Sequence, residues 1–201
     1  MLLGPHCPHC AAVLSSLSEL VKQGVVSRLE VVNLEQRPDI ASELGVRSVP
    51  WVRIGPFEFV GLHSEAELRS WAELSSSAQG MTKYFEQHLG DGKVKQVLAM
   101  IDKDPGLLHA LTGLISDADA KINARLGVGV IFEEYEGREE LRALVPQLGV
   151  LTQHQDARVR SDACHYLSLT HDASARPYIE ALLDDAHAEV REVAEESLLE
   201  L

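Results

Sequence analysis

Cysteine is scarce in this chain of 201 residues, which holds only Cys7, Cys10 and Cys164. That leaves no second Cys-x-x-Cys pair, whereas a structural zinc site usually draws its four or so ligands from two such pairs. Basic residues are also in the minority, 18 Lys or Arg against 31 Asp or Glu, for a net charge of −13. Phosphate binding needs clustered cations, so nucleic acid is not an expected partner. No apolar run is long enough to span a bilayer, and no basic start leads into an apolar stretch and a cleavage site. A membrane is therefore not expected as a partner, and the sequence as given predicts a cytoplasmic location. Strand signals are missing too, but only from Met81 onward. That change of pattern divides the chain into residues 1–76, a Ser-rich linker at 77–80, and residues 81–201.

The cysteines that are present sit in Gly4-Pro5-His6-Cys7-Pro8-His9-Cys10. Pro8 suits the first position of a helix, which makes Cys7 the expected N-cap. Val13, Leu14, Leu17, Leu20 and Val21 follow as one apolar face, and Gly24 is the expected stop. A Cys7 thiolate there would face free N–H groups at the positive helix end, a gain of about 0.3–1 kcal/mol, or about 2 when partly buried. The thiolate is the attacking species, so Cys7 is the expected nucleophile, with a pKa below the usual ~8.5. Cys10, one turn inside, is the expected resolving thiol, and a protonated His9 would add to the stabilisation. The competing reading is a zinc or copper site made by Cys7 and Cys10 with His6 and His9.

The next segments decide between these readings by their order. Leu29–Leu34 reads as a strand, Pro38–Leu44 as a short helix ending at Gly45, and Trp51–Ile54 and Phe57–Val60 as a hairpin turning at Gly55-Pro56. Ser64 and Glu67 form a capping box opening a last helix with Leu68, Trp71 and Leu74. With Met1-Leu2-Leu3 as a reduced first strand, residues 1–76 resemble the thioredoxin superfamily, closest to small glutaredoxin-like domains. The Pro-His pair between the cysteines is similar to that of the bacterial periplasmic disulfide oxidases of the DsbA type. Ser48-Val49-Pro50 resembles the family's cis-proline loop, which would bring Val49 and Pro50 to the site to pair with an extended substrate.

The resemblance also marks departures. His6 stands where thioredoxins carry a tryptophan, and their buried acid has no match, so His6 is the nearest group for proton transfer. Trp51 follows the proline where a smaller residue is usual, implying narrowed access or an aromatic platform. Gly61-Leu62-His63-Ser64 holds only part of the glutathione-binding pattern. No cofactor or metal is expected beyond the redox-active Cys7–Cys10 pair itself.

The second half reads as helices with internal self-similarity. Asp119-Ala120-Lys121-Ile122, Asp156-Ala157-Arg158-Val159 and His187-Ala188-Glu189-Val190 align at spacings of 37 and 31 residues, followed by Leu126, Ala163 and Ala194. The Asp-Ala-x-Val-Arg spelling resembles the second helix of HEAT repeats and predicts an all-α HEAT-like array over about 105–201, preceded by two helices in 81–103. The expected terminal cap buries Val190, Val193, Ala194, Ser197, Leu198 and Leu201, with Glu192, Glu195, Glu196 and Glu200 in water. Residues 80–201 carry 12 basic against 22 acidic residues, and residues 1–79 carry 6 against 9. Cys164 is expected as a small buried hydrophobe, and His154, His165 and His171 as surface or packing residues.

These readings combine into a thiol–disulfide oxidoreductase with an α/β thioredoxin-like domain and a helical-repeat domain. Cys7 attacks a protein disulfide and Cys10 resolves it, with a protein thiol or disulfide client, or a reductase, as partner. The alternatives are a scaffold whose thioredoxin-like domain only docks partners, and a Cys/His metal-binding protein. The Pro-His spelling points to an oxidising couple, while a cytoplasmic location points to a reductase.

Overall fold

In the computed structural model, which describes residues 1–201 apart from the side chain of Ala78, the apolar pair Leu2–Leu3 forms β1. It is followed by α1 (Cys10–Lys22), β2 (Val32–Asn33), α2 (Pro38–Glu43), β3 (Trp51–Ile54), β4 (Phe57–Val60) and α3 (Glu65–Leu74). The sheet order is β2-β1-β3-β4, with β1 parallel to β2 and the other pairs antiparallel. β2 is shorter than the expected Leu29–Leu34. Its ladder partner β1 offers only Leu2↔Val32 and Leu3↔Asn33, so regular pairing ends there. The β3–β4 loop has two residues, and Pro56 cannot adopt positive φ. The turn therefore needs glycine at its first position, where Gly55 has φ 56°.

Alternation along β3 separates the two sheet faces. Val52 and Ile54, paired with Phe59 and Phe57, face the helices. Met1, Cys10, Val13, Leu17, Leu20, Val52 and Leu68 are buried in one cluster. Trp71 of α3 packs between Phe57 and Phe59, with ring centroids 5.1 and 5.4 Å away. Each such side chain contributes about 1.5–3 kcal/mol on full burial, which fixes α1 and α3 on this face. Trp51 and Arg53 point to the other face, where Leu2 pairs with both Trp51 and Val32. A cavity of about 560 Å³ opens at the sheet end lined by Met1, Arg28, Leu29, Arg53, Ile54 and Ser75. The capping box is formed as expected: Ser64 Oγ accepts from the Glu67 N–H, and Glu67 accepts from the Ser64 N–H at 2.8 Å.

The chain divides into two compact units, Met1–Gly80 and Met81–Leu201. The expected linker at 77–80 is mostly helix, because α4 (Ala78–Gly90) begins inside it. The serines before it form turns: the Ser75 and Ser77 hydroxyls donate to the Ala72 and Leu74 carbonyls at 2.7 and 3.0 Å. The helices continue as α5 (Val94–Lys103), α6 (His109–Ile115), α7 (Ile122–Glu134), α8 (Glu139–Arg142), α9 (Val145–Leu151), α10 (Ala157–Ser168), α11 (Arg176–Glu180) and α12 (Ala188–Glu200). The second unit contains no strand among the described residues, and no helix is long and apolar enough to cross a membrane.

The first of the three aligned segments is displaced by two residues. Val159 and Ala163 of α10, and Val190 and Ala194 of α12, are buried, but their aligned residues Ile122 and Leu126 are 74% and 64% exposed. The equivalent buried positions of α7 are Ala124 and Val128. The reason lies before the helix. Asp156 caps α10 by accepting from the Arg158 N–H at 2.8 Å. Asp119 instead sits in a turn closed by Asp117, whose carboxylate accepts its N–H at 2.9 Å, and α7 starts only at Ile122. The last helix follows its expected pattern in outline: Val190, Ala194 and Ser197 are buried, Val193, Leu198 and Leu201 half-buried, and the four glutamates exposed.

Within the second unit, successive helices are joined by arginine–aspartate pairs. Arg125 of α7 donates to Asp162 of α10. Arg160 of α10 donates bidentately to Asp185, at 2.7 and 2.8 Å, and reaches back to the His154 carbonyl. Arg191 of α12 donates to the Asp185 carbonyl at 2.6 Å.

Candidate active site

The repeated Pro-His-Cys spelling folds as two successive turns. The Cys7 N–H donates to the Gly4 carbonyl at 3.3 Å across Pro5-His6, and the Cys10 N–H donates to the Cys7 carbonyl at 3.4 Å across Pro8-His9. Proline suits the second position of such turns, and His9, at φ −100° and ψ −13°, has the dihedrals of the third. α1 therefore starts at Cys10 with His9 as its N-cap, a correction to the expected Cys7 cap. Pro8 closes a turn before the helix instead of opening its first turn.

This geometry holds Cys7 and Cys10 as a disulfide with Cα atoms 5.5 Å apart. The pair is asymmetric. Cys10 is 4% exposed and belongs to the core, whereas Cys7 is half-buried at its edge. The Cys7 sulfur, bonded to the first residue of α1, lies at a helix start with no acidic residue in its first turn and no side-chain cap. Such an end favours negative charge. His6 and His9 are both exposed beside it.

The Val49-Pro50 peptide is cis. Val49 packs against the same cluster as Cys7 and Cys10, and its Cγ2 lies beside Gly4 in the first Pro-His turn. Pro50 is buried, and its carbonyl accepts from the Gly61 N–H at 2.9 Å. Gly61, at φ 97°, is the first residue of the Gly61-Leu62-His63-Ser64 segment, and its hydrogen bond to Pro50 is a contact that the sequence did not assign to it. Its signal was the glycine itself, placed just after a strand. The exposed apolar side chains Val60 and Leu62 flank it.

Trp51 lies elsewhere. It is 5% exposed on the sheet face away from α1, under the Arg53 guanidinium at 5.6 Å, and it lines the cavity at the sheet end. It neither narrows access to Cys7 nor offers an open platform, because strand alternation turns its ring to the other face.

The first unit buries no polar or charged side chain among the described residues, so no buried acid stands behind the cysteines. The remaining histidines do not converge. His154 Nδ1 accepts from the Asp156 N–H at 3.1 Å, His165 lies beside Tyr166, and His171 bridges the Glu136 carboxylate and the Glu200 carbonyl. Among the described residues no group of three or more His, Cys, Asp or Glu is arranged to hold a metal ion.

Cys164 is fully buried in α10, and burial pushes its thiol up to about 11 despite a hydrogen bond from Ser197. It is a neutral, shielded thiol at physiological pH. In native reduced protein treated with iodoacetamide, peptide mass spectrometry is expected to find Cys7 labelled and Cys164 unmodified. Cys164 labels only after denaturation.

The disulfide at the head of α1, the cis-proline loop beside it and the four-stranded mixed sheet define a thioredoxin-like domain, followed by a mostly helical region. The sequence model of the family described as a thioredoxin domain matches residues 1–73, the part that holds all of these features. No curated protein and no solved structure matches the chain.

Proposed function

We propose that this protein is a thiol–disulfide oxidoreductase acting on protein disulfides. The observation that carries the reading is the unequal exposure of the paired sulfurs: Cys7 is reachable beside Val49-Pro50, while Cys10 is sealed in the core one turn further on. In the reducing direction the Cys7 thiolate attacks one sulfur of the client disulfide. That bond breaks, the other client sulfur leaves as a thiolate and takes a proton, and a Cys7–client mixed disulfide forms. The Cys10 thiol gives up its proton, and the resulting thiolate attacks the Cys7 sulfur. The second client sulfur leaves as a thiolate and takes a proton, and the two electrons lost as Cys7 and Cys10 form their disulfide are the two that the client gains. The oxidising direction is the same sequence reversed.

Without a buried acid, the Cys10 proton passes to solvent or to exposed His6. Extended backbone of the client would pair beside Val49-Pro50, with Val60 and Leu62 as apolar neighbours. The helical unit, with its HEAT-like succession of helices and its excess of acidic residues, would position the client or the electron-donating partner.

Insulin reduction with dithiothreitol as donor tests the activity. Catalysed precipitation of the insulin B chain is expected, and a rate equal to dithiothreitol alone overturns the reading. Equilibration of the Cys7–Cys10 couple with glutathione buffers then gives the direction of electron flow.

A further inference from the structure

α7 presents an apolar stripe to solvent. Ile122, Leu126 and Val130, four residues apart, are 74%, 64% and 46% exposed, while the opposite face of the same helix is buried through Ala124, Val128, Ile131 and Phe132. Residues at this spacing lie along one side of a helix, here over most of its length of about 20 Å. Isolated exposed apolar residues need no explanation, but an aligned row does.

The charges at the ends of the stripe are opposite. Lys121 caps the N-terminal end, and Glu133 and Glu134 close the last turn, which has no basic residue. All three are exposed, and none forms an ion pair within the chain among the described residues. Both ends carry charge of the same sign as the helix dipole there, positive at the N-terminus and negative at the C-terminus, which is unfavourable in isolation.

We propose that α7 is a self-pairing surface through which two copies of this chain associate about a two-fold axis. In an antiparallel pair centred on Leu126, each Leu126 meets its counterpart and Ile122 meets the partner's Val130. Lys121 lies within side-chain reach of the partner's Glu133 and Glu134. The arrangement is self-complementary in shape and charge, as an isologous contact must be. It also sets each helix end against the opposite end of its neighbour, relieving both unfavourable placements. One helix supplies less than the roughly 800 Å² per partner of a standard interface, so the association is weak and concentration-dependent.

Sedimentation equilibrium over a wide range of protein concentration tests this. A reversible monomer–dimer equilibrium is expected, and Leu126→Glu weakens it by about tenfold or more, with an unchanged circular dichroism spectrum because Leu126 is not a core residue. Lys121→Glu alone, or Glu133→Lys with Glu134→Lys, also weakens it, and combining all three restores it. In a Cys7→Ser/Cys10→Ser background, Leu126→Cys is expected to crosslink to its counterpart under mild oxidation. A chain that stays monomeric throughout, a dimer indifferent to Leu126→Glu, or charge reversals that fail to compensate overturns the proposal. So does finding the stripe covered by a different protein in place of a second copy.

Discussion

Cys7→Ser is expected to reduce insulin turnover to the rate of dithiothreitol alone, whereas reduced Cys10→Ser, mixed with insulin without dithiothreitol, reacts once and stops as the mixed disulfide. The difference follows from exposure. Cys7 is at the edge of the core and can reach a client sulfur; Cys10 is 4% exposed and can reach only Cys7. Removing the first thiol removes the attacking species. Removing the second leaves the mixed disulfide with nothing inside the protein to break it. Non-reducing electrophoresis and mass spectrometry of Cys10→Ser mixed with oxidised insulin should show a covalent adduct through Cys7. The same treatment of Cys7→Ser should show none. Equal loss in both variants without any adduct would contradict these roles.

The second large effect concerns the helical unit. Asp185→Ala is expected to destabilise it by about 3–5 kcal/mol, because it leaves the Arg160 guanidinium buried without its bidentate partner. The side chains of Arg160 and Asp185 are only 12% and 7% exposed, so water cannot readily replace the lost carboxylate. Exchanging both partners, Arg160→Met with Asp185→Leu, should cost far less, since no buried charge is then stranded. Urea unfolding followed by circular dichroism at 222 nm measures both variants.

The same pair predicts an acid limit. The Arg160 hydrogen bond holds the Asp185 carboxyl down to about 2, below its ordinary value of 3.8. A carboxyl whose folded pKa is depressed stabilises the fold fully above its unfolded value and loses that contribution as pH falls through the folded one. Wild-type stability should therefore decline between about pH 4 and pH 2, and the double variant should lack that part of the decline.

Local signals were legible where one short segment settles its own geometry. Gly55 and Ser64–Glu67 behave as the sequence implies because a two-residue hairpin and a capping box are closed by neighbouring atoms. The Cys7–Cys10 pair and the adjacent Val49-Pro50 loop were also legible, since both are short motifs at element boundaries. The start of α1 was not: Pro8 serves equally well within a tight turn or at the first position of a helix, and the Cys10 N–H bond to the Cys7 carbonyl selects the turn. The register of α7 was hidden for a related reason. Asp-Ala precedes both α7 and α10, but in one case the aspartate caps the helix and in the other it lies in a turn before it. Trp51 could be placed in a strand from its neighbours, yet the face it occupies depends on which strands flank β3.

By itself, then, the sequence determined the Cys7–Cys10 pair, the order of elements in the first unit and the change to helices after Met81, because each depends on spacing within a few residues. Only the tertiary structure decided which sulfur is sealed, that Trp51 faces away from it, and that Ile122 and Leu126 are left in water. Those outcomes depend on what packs against each side chain from elsewhere in the chain, and burial is a property of that packing.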